Sequence, residues 1–156
     1  MKKILVFGGT GMLGTMVVKV LRDEYKDLDV KFTSRQVVQD GGIYYDIERG
    51  GSSELFGLLE ANTFDWIINC TGIIKPYIKD DDKEKVLRAV KVNSEFPYIL
   101  DKALAIHPNM RCIQIATDCV YSGDMGDYDE DAVHDGIDVY GKTKSLGEVN
   151  SDKFII

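Results

Sequence analysis

Residues 2–14 constrain the fold of this chain more than any other part of the sequence. The apolar run at residues 4–7 ends abruptly in four closely spaced glycines, Gly8, Gly9, Gly11 and Gly14. Apolar residues then return at the spacing of an amphipathic helix, and they are Met12, Leu13, Met16, Val17, Val20 and Leu21. The pattern predicts a buried strand, a tight turn and a helix that packs through these apolar residues.

The spacing of the glycines is typical of a phosphate site. Gly9, Gly11 and Gly14 match G-x-G-x-x-G, and Gly8 extends the match to G-x-x-G-x-x-G. Either pattern could occur by chance in a chain with 15 glycines, but this one follows a predicted strand and opens a helix. Because a helix start presents free N–H groups, we predict dinucleotide binding. A nucleotide triphosphatase loop is excluded, since the residues after Gly14 are not Lys and then Ser or Thr.

The composition limits the class of protein. A chain of 156 residues with 44% hydrophobic residues is long enough for one globular domain with a buried core. The net charge of −7 argues against nucleic acid as a partner, because phosphate neutralisation needs clustered cations. The sequence has neither a run of transmembrane length nor the apolar stretch of a signal peptide, so we expect a cytoplasmic protein with no membrane partner. Cys70, Cys112 and Cys119 lack C-x-x-C pairing and are predicted to be reduced core residues, with no metal site.

Strand and helix patterns alternate along the whole chain. After the first helix, further strands are predicted at residues 29–35, 41–47, 64–72, 109–121 and 153–156. Alternation without repeats or linkers predicts an α/β fold, a doubly wound (Rossmann) parallel sheet with helices on both faces. Ligands of such sheets bind outside the carboxyl ends of the strands.

Residues at these carboxyl ends form the expected crevice. Asp46, Thr71 and Gly72 should line the same crevice as the glycine turn. Ser34 and Arg35 stand about twenty residues beyond the glycines, where an acid holds the ribose of NAD or an Arg accommodates the 2′-phosphate of NADP. The nearest acid, Asp29, is at the start of the predicted strand at residues 29–35, and so at the wrong edge of the sheet to hold the ribose. NADP is therefore the expected cofactor, and NAD is the alternative if Arg35 is only a solvated loop residue.

A long helical pattern covers residues 83–105. Three aspartates at residues 80–82 precede it, and we predict that they cap its N–H groups rather than hold a metal. Pro97 lacks an N–H donor and should bend the helix, which would present Asn93, one turn earlier, at the bend.

Candidate acid–base groups follow the fifth predicted strand. Tyr140 and Lys144 are four residues apart and so share one face of a helix. A free phenol titrates well above neutral pH, and a positive charge beside it favours the phenolate, which suits the pair to acid–base catalysis. Thr117, near the end of the preceding predicted strand, can donate a hydrogen bond to the carbonyl oxygen of a ligand that Tyr140 contacts. A second pair, Tyr98 and Lys102, lies inside the long helix, where Tyr98 is predicted to pack and Lys102 to be solvated.

Motifs spread over essentially the whole chain resemble those of the extended short-chain dehydrogenases/reductases. Within that family the likeness is closest to dTDP-4-dehydrorhamnose reductase and related nucleotide-sugar 4-ketoreductases. The motifs occur at residues 8–14, 69–72, 92–97, 116–123, 126–130 and 140–148.

The resemblance implies roles for individual residues. Thr117, Tyr140 and Lys144 would form a catalytic triad, Lys144 would also hold the nicotinamide ribose, and Asn93 would support the site. A hydride would pass from the nicotinamide to a C4 ketone, and Tyr140 would protonate the developing alkoxide. The predicted cofactor contacts are Gly8, Gly9, Thr10, Gly11, Met12, Leu13, Gly14, Ser34, Arg35, Asp46, Ile47, Cys70, Thr71, Gly72, Tyr140 and Lys144.

The sequence departs from the family pattern in two places. Ala116 stands where the family usually has Ser before the Thr. Family members also continue into a small C-terminal domain that recognises the nucleotide sugar. We therefore expect residues 1–156 to form the NAD(P)-binding Rossmann domain, with the substrate lobe absent and the activity of this chain alone in doubt. The resemblance implies a nucleotide-sugar substrate and a place in dTDP-rhamnose and polysaccharide biosynthesis, and a homodimer is compatible with it.

Two other functions stay open. Nucleotide-sugar epimerases and dehydratases share the scaffold, but a dehydratase of this family typically has Asp and then Glu after the threonine, and here Asp118 is followed by Cys119. A non-catalytic NADP-binding module would fit a chain without a substrate lobe, yet it has no need of the intact Thr117, Tyr140 and Lys144.

Overall fold

A parallel sheet of six strands organises the part of the chain that the computed structural model describes, residues 1–36 and 40–156. The strands are β1 (Lys2–Phe7), β2 (Leu28–Ser34), β3 (Gly42–Tyr44), β4 (Trp66–Asn69), β5 (Arg111–Gln114) and β6 (Phe154–Ile155). The helices are α1 (Met12–Glu24), α2 (Ser52–Ala61), α3 (Lys83–Ala89), α4 (Phe96–Leu104) and α5 (Val139–Leu146). The strand order β3-β2-β1-β4-β5-β6, with every pair parallel, confirms the predicted doubly wound fold.

The two faces of the sheet are covered unequally. On one face the core residues of β1, β4, β5 and β6 are buried with those of α2 and α4, and Phe7 contacts Phe96 edge to face. On the other face α1 packs on β1 and β2. Beyond α1 on that face, Trp66 and Ile68 are half-buried and Ile155 is 51% exposed. The sheet therefore has one fully buried face and one that α1 covers only in part.

The apolar face predicted for α1 is confirmed at Val17 and Leu21 and wrong at the other four positions, so the buried face is rotated about the helix axis. Met12, Leu13, Met16 and Val20 are exposed, and the residues that meet the sheet are Gly14, Val17, Val18 and Leu21. The reason is that a Cβ on Gly14 would lie 2.1 Å from the carbonyl oxygen of Gly8, so Gly14 marks the closest approach of the helix to the strand. The predicted face and the buried face of α1 overlap and are both apolar, so the spacing of apolar residues alone does not show which face packs on the sheet.

The helix predicted at residues 83–105 is divided into α3, a π-helical segment (Val90–Glu95) and α4. Phe96 N–H donates to the carbonyl of Lys91, five residues back. Pro97 follows at the start of α4 and has no N–H for the carbonyl of Asn93. The π-helical segment, whose turns are wider than those of an α-helix, therefore comes shortly before Pro97, and Asn93 lies within it. The predicted aspartate cap is confirmed for Asp82 alone, whose carboxylate accepts from Lys85 N–H at 3.3 Å, whereas Asp80 accepts from Val139 N–H.

The fifth strand is shorter than predicted. β5 ends at Gln114, and the side chain of Thr117 caps a 3-10 turn by accepting from Cys119 N–H at 3.3 Å. All three cysteines are free thiols. Cys112 is buried and Cys70 is half-buried, but Cys119 is exposed, so its predicted place in the core is wrong.

We predict that Gly14→Ala destabilises the fold strongly, because its methyl group would overlap the backbone of Gly8 and Gly9. The expected loss in unfolding free energy, measured by urea denaturation, is about 2 kcal/mol or more. The matched control is Gly57→Ala in α2, where a Cβ meets nothing within 4 Å. That change should stabilise the fold by about 0.5–1 kcal/mol. Equal effects of the two substitutions would contradict the close approach of α1.

Candidate functional site

A cavity of about 220 Å³ opens at the carboxyl edge of the sheet. It lies between the glycine turn after β1, the ends of β2 and β3, and the segment after β4. The predicted residues that line it are Gly8, Thr10, Gly11, Ser34, Arg35, Asp46, Ile47, Cys70, Thr71 and Gly72. The structure thus brings together residues that the sequence placed at the ends of four strands.

Six predicted contacts lie outside the cavity lining, namely Gly9, Met12, Leu13, Gly14, Tyr140 and Lys144, of which the last two belong to α5. Gly9 packs below the cavity, because a Cβ there would lie 2.4 Å from Cβ of Phe32, and Gly14 packs on Gly8. The side chains of Met12 and Leu13 are 87% and 43% exposed in the first turn of α1. Gly9 and Gly14 therefore serve packing, and Met12 and Leu13 do not line the cavity.

The glycine turn fits the pyrophosphate of a dinucleotide. Gly8 has φ +74°, a conformation that side chains disfavour, and Gly11 N–H closes the turn on the carbonyl of Gly8 at 2.9 Å. α1 then begins without a side-chain hydrogen bond at its N-cap and without an acidic residue in its first turn. Its free N–H groups and positive dipole end are thus directed toward the cavity, where they can hold an anion.

Glu48 and Arg88 extend the other end of the cavity, and neither was predicted from the sequence. The Arg88 guanidinium donates to both Glu48 carboxylate oxygens at 2.7 Å, and Arg35 Nη1 lies 3.1 Å from Oε1. The hydrogen bonds from Arg88 lower the pKa of Glu48, and the same bonds raise the pKa of Arg88. Glu48 follows Asp46 closely and could have been suspected, but Arg88 comes from α3 and has no local sequence signal.

α5 carries Tyr140 and Lys144, and it packs on the segment that contains Thr117. Lys144 is 6% exposed, and its ammonium group donates to the carbonyl of Ile115 at 2.6 Å. Burial lowers the pKa of Lys144, and Glu148 partly offsets this. Gly141 makes the approach close, because a Cβ there would lie 2.4 Å from the carbonyl of Cys119. The structure therefore places all three predicted catalytic residues on two segments in direct contact.

Asn93 joins this helix to the cavity wall. Its Oδ1 accepts from Ile73 N–H at 2.7 Å, and its Nδ2 donates to the Ile73 carbonyl at 3.0 Å and to Thr143 Oγ1 at 3.1 Å. Ser94 Oγ adds a bond to the Thr143 carbonyl at 2.8 Å. Because both ends of the Asn93 amide are bonded to protein groups, we describe Asn93 as a positioning residue.

The N-terminus of α5 is also held in place. Asp138 accepts from Gly141 N–H at 2.8 Å and forms an ion pair with Lys75 at 2.5 Å, while Asp80 accepts from Val139 N–H at 3.2 Å. These contacts fix the first turn of α5, which contains Tyr140.

The second Tyr-x-x-x-Lys pair lies in α4, away from the cavity. Tyr98 is 48% exposed, so the prediction that it packs is wrong, and Lys102 is exposed as predicted. The buried face of α4 consists of Phe96, Pro97, Leu100, Ala103 and Leu104.

The strand order and the glycine turn define a Rossmann-type α/β protein of the dinucleotide-binding class. A family model described as the RmlD substrate binding domain matches residues 1–153. The chain belongs to this family, which agrees with the predicted resemblance. A search of curated protein sequences finds no match.

Solved structures that are similar include three dTDP-4-dehydrorhamnose reductases. A hypothetical one from Sulfolobus tokodaii is 26% identical with a TM-score of 0.79, over 95% of this chain and 50% of that chain. One from Clostridium acetobutylicum is 27% identical with a TM-score of 0.75, and the match covers 94% of this chain and 47% of that chain. One from Bacillus anthracis, in complex with NADP, is 23% identical with a TM-score of 0.76, over 95% and 48%, and shows the fold alone. The chain spans about half the length of these structures.

Residues 1–36 and 40–156 contain neither of two features that would point to a membrane or a metal. No helix there has both the length and the apolar character needed to cross a membrane. Nor do those residues contain a cluster of three or more His, Cys, Asp or Glu side chains that could hold a metal ion.

We predict that Asn93→Ala lowers the unfolding free energy by about 2–3 kcal/mol, because it removes the partners of the part-buried Ile73 N–H and carbonyl and the buried bond to Thr143 Oγ1. Asn62→Ala is the control, since it removes a single bond to the Leu58 carbonyl at the end of α2 and should cost about 1 kcal/mol or less. Urea denaturation of both variants measures the difference. A loss at Asn93 no larger than that at Asn62 would refute the positioning role.

Proposed function

We propose that this chain is the cofactor-binding and proton-donating part of an NAD(P)H-dependent reductase of 4-keto nucleotide sugars, similar to dTDP-4-dehydrorhamnose reductase. One observation carries the proposal: Asn93 bonds both to Ile73, in the cavity wall, and to Thr143, in the helix of Tyr140 and Lys144. The dinucleotide crevice and the candidate acid–base pair thus share one framework. Membership of the RmlD family supports the same conclusion.

Each part of the cofactor has a proposed partner. Gly8, Thr10 and Gly11, with the N-terminus of α1, hold the pyrophosphate, and the Lys144 side chain holds the nicotinamide ribose. Ser34 and Arg35 hold the adenosine end, with NADP as the expected cofactor and NAD as the alternative. The remaining contacts of the crevice are the predicted ones at Asp46, Ile47, Cys70, Thr71 and Gly72.

The residues of this chain would then act on the substrate carbonyl. A bound reduced nicotinamide supplies the hydride. The Tyr140 hydroxyl donates its proton to the carbonyl oxygen, and Thr117 donates a hydrogen bond to the same oxygen. The Lys144 ammonium favours the phenolate that remains on Tyr140. Asn93 holds α5 against the cavity wall, so that these groups keep their places.

The other functions on this scaffold are less well supported. A dTDP-glucose 4,6-dehydratase from Bacillus anthracis in complex with NAD is structurally similar at 17% identity, which shows the fold alone. The Asp–Glu pair expected of a dehydratase is absent, because Cys119 follows Asp118. A non-catalytic NADP-binding module would not need the intact Thr117, Tyr140 and Lys144. A single domain at residues 1–156, a cytoplasmic location and a homodimer stay predictions.

The cofactor preference is tested by titrating NADPH and NADH into the chain in a calorimeter. We expect both to bind and NADPH to bind more tightly, because the proposed role of Arg35 is to accommodate the 2′-phosphate. Tighter binding of NADH would refute the role of Ser34 and Arg35, and the absence of binding would refute the proposed function.

The chemistry is tested in a full-length version that carries a substrate lobe, by following NADPH absorbance with and without a 4-keto nucleotide sugar. Tyr140→Phe should lower turnover about 100-fold or more, because it removes the proton donor, while NADPH binding should persist. The control is Tyr98→Phe in the second Tyr-x-x-x-Lys pair, which should leave turnover unchanged. Undiminished turnover of the Tyr140 variant would show that another group donates the proton.

A further inference from the structure

We propose that Glu48 is a specificity-determining residue that disfavours a 2′-phosphorylated cofactor by competing with the phosphate for Arg35. The inference rests on the proposed function, because it concerns the adenosine end of the same crevice. Ser34 and Arg35 favour NADP, and the Glu48 carboxylate would oppose that preference. The balance between NADPH and NADH would then depend on three side chains, Arg35, Glu48 and Arg88, rather than on Arg35 alone.

Both the backbone and the side chain of Glu48 are held in place. Its N–H donates to Asp46 Oδ1 at 2.9 Å, and its carbonyl accepts from Lys91 Nζ at 2.6 Å. Its carboxylate accepts from Arg88 Nε and Nη2, each at 2.7 Å, in the two-bond geometry that gives an arginine–carboxylate pair its strength. The carboxylate is therefore a fixed negative charge at the wall of the cavity.

The two arginines bind Glu48 unequally. Arg35 makes one contact at 3.1 Å, and its side chain is 63% exposed. The Arg88 side chain is 38% exposed and makes two shorter bonds. Arg35 is thus the partner that can be released, whereas Arg88 keeps the carboxylate where it is.

This asymmetry has opposite consequences for the two cofactors. A 2′-phosphate that recruits Arg35 must separate it from Glu48 and must then lie near a carboxylate that stays in place, which is a repulsion between like charges. A ribose with a free 2′-hydroxyl needs no such exchange, and its hydroxyl can donate to a carboxylate. The repulsion applies only to the phosphorylated ligand.

The test compares two probes that differ only in the 2′-phosphate, ADP-ribose and its 2′-phosphate derivative. Glu48→Gln keeps the size of the side chain and removes its charge, so it should raise the affinity for the phosphorylated probe relative to the other by about two- to fivefold. The gain should shrink as salt is added, because it is electrostatic. Glu60→Gln, at an exposed glutamate of α2, is the control and should leave the ratio unchanged.

A second variant has the opposite expected sign. Arg88→Lys keeps the positive charge but loses the two-bond geometry, so Glu48 should bind Arg35 more and the relative affinity for the phosphorylated probe should fall. A ratio of two affinities cancels a general loss of folded protein, which separates specificity from stability. An unchanged ratio in both variants would overturn the inference while leaving the proposed function intact. If neither probe binds the unmodified chain, the proposed function fails and the inference fails with it.

Discussion

The side-chain amide of Asn93 is the interaction on which the arrangement of the candidate site depends. It is 2% exposed and bonds to the backbone of Ile73 on one side and to Thr143 on the other. A buried amide with all its bonds formed is rigid, because any displacement leaves polar groups without partners. Through it, the segment after β4, the π-helical segment and α5 hold one another in place.

Close backbone contacts complete this arrangement, and glycines make them possible. A Cβ on Gly147 would lie 1.9 Å from the carbonyl of Asn93, and one on Gly141 would lie 2.4 Å from the carbonyl of Cys119. Gly14 has the same role between α1 and the turn after β1. The carboxyl edge of the sheet is therefore assembled from helices that approach strand ends and loops at backbone distance, where any added side chain would force them apart.

The sequence predicted best those features that depend on local order. The strand–turn–helix at the glycines, the placing of Asp46 with Thr71 at one edge, and the start of α5 near Tyr140 all follow from short-range patterns and from the rules of parallel sheets. The rotation of α1 could not be predicted, because it depends on which residue meets the strand. Glu48 and Arg88 are 40 residues apart, so only the folded chain brings them together.

The unequal cover of the two sheet faces has a spectroscopic consequence. Trp66 is the only tryptophan of the sequence, and it is half-buried at the first position of β4, on the face that α1 covers in part. The crevice lies at the opposite, carboxyl end of the strands. Indole emission moves to longer wavelength as the ring is hydrated, so the intrinsic fluorescence of this chain reports on water at that face of the sheet, separately from events in the crevice.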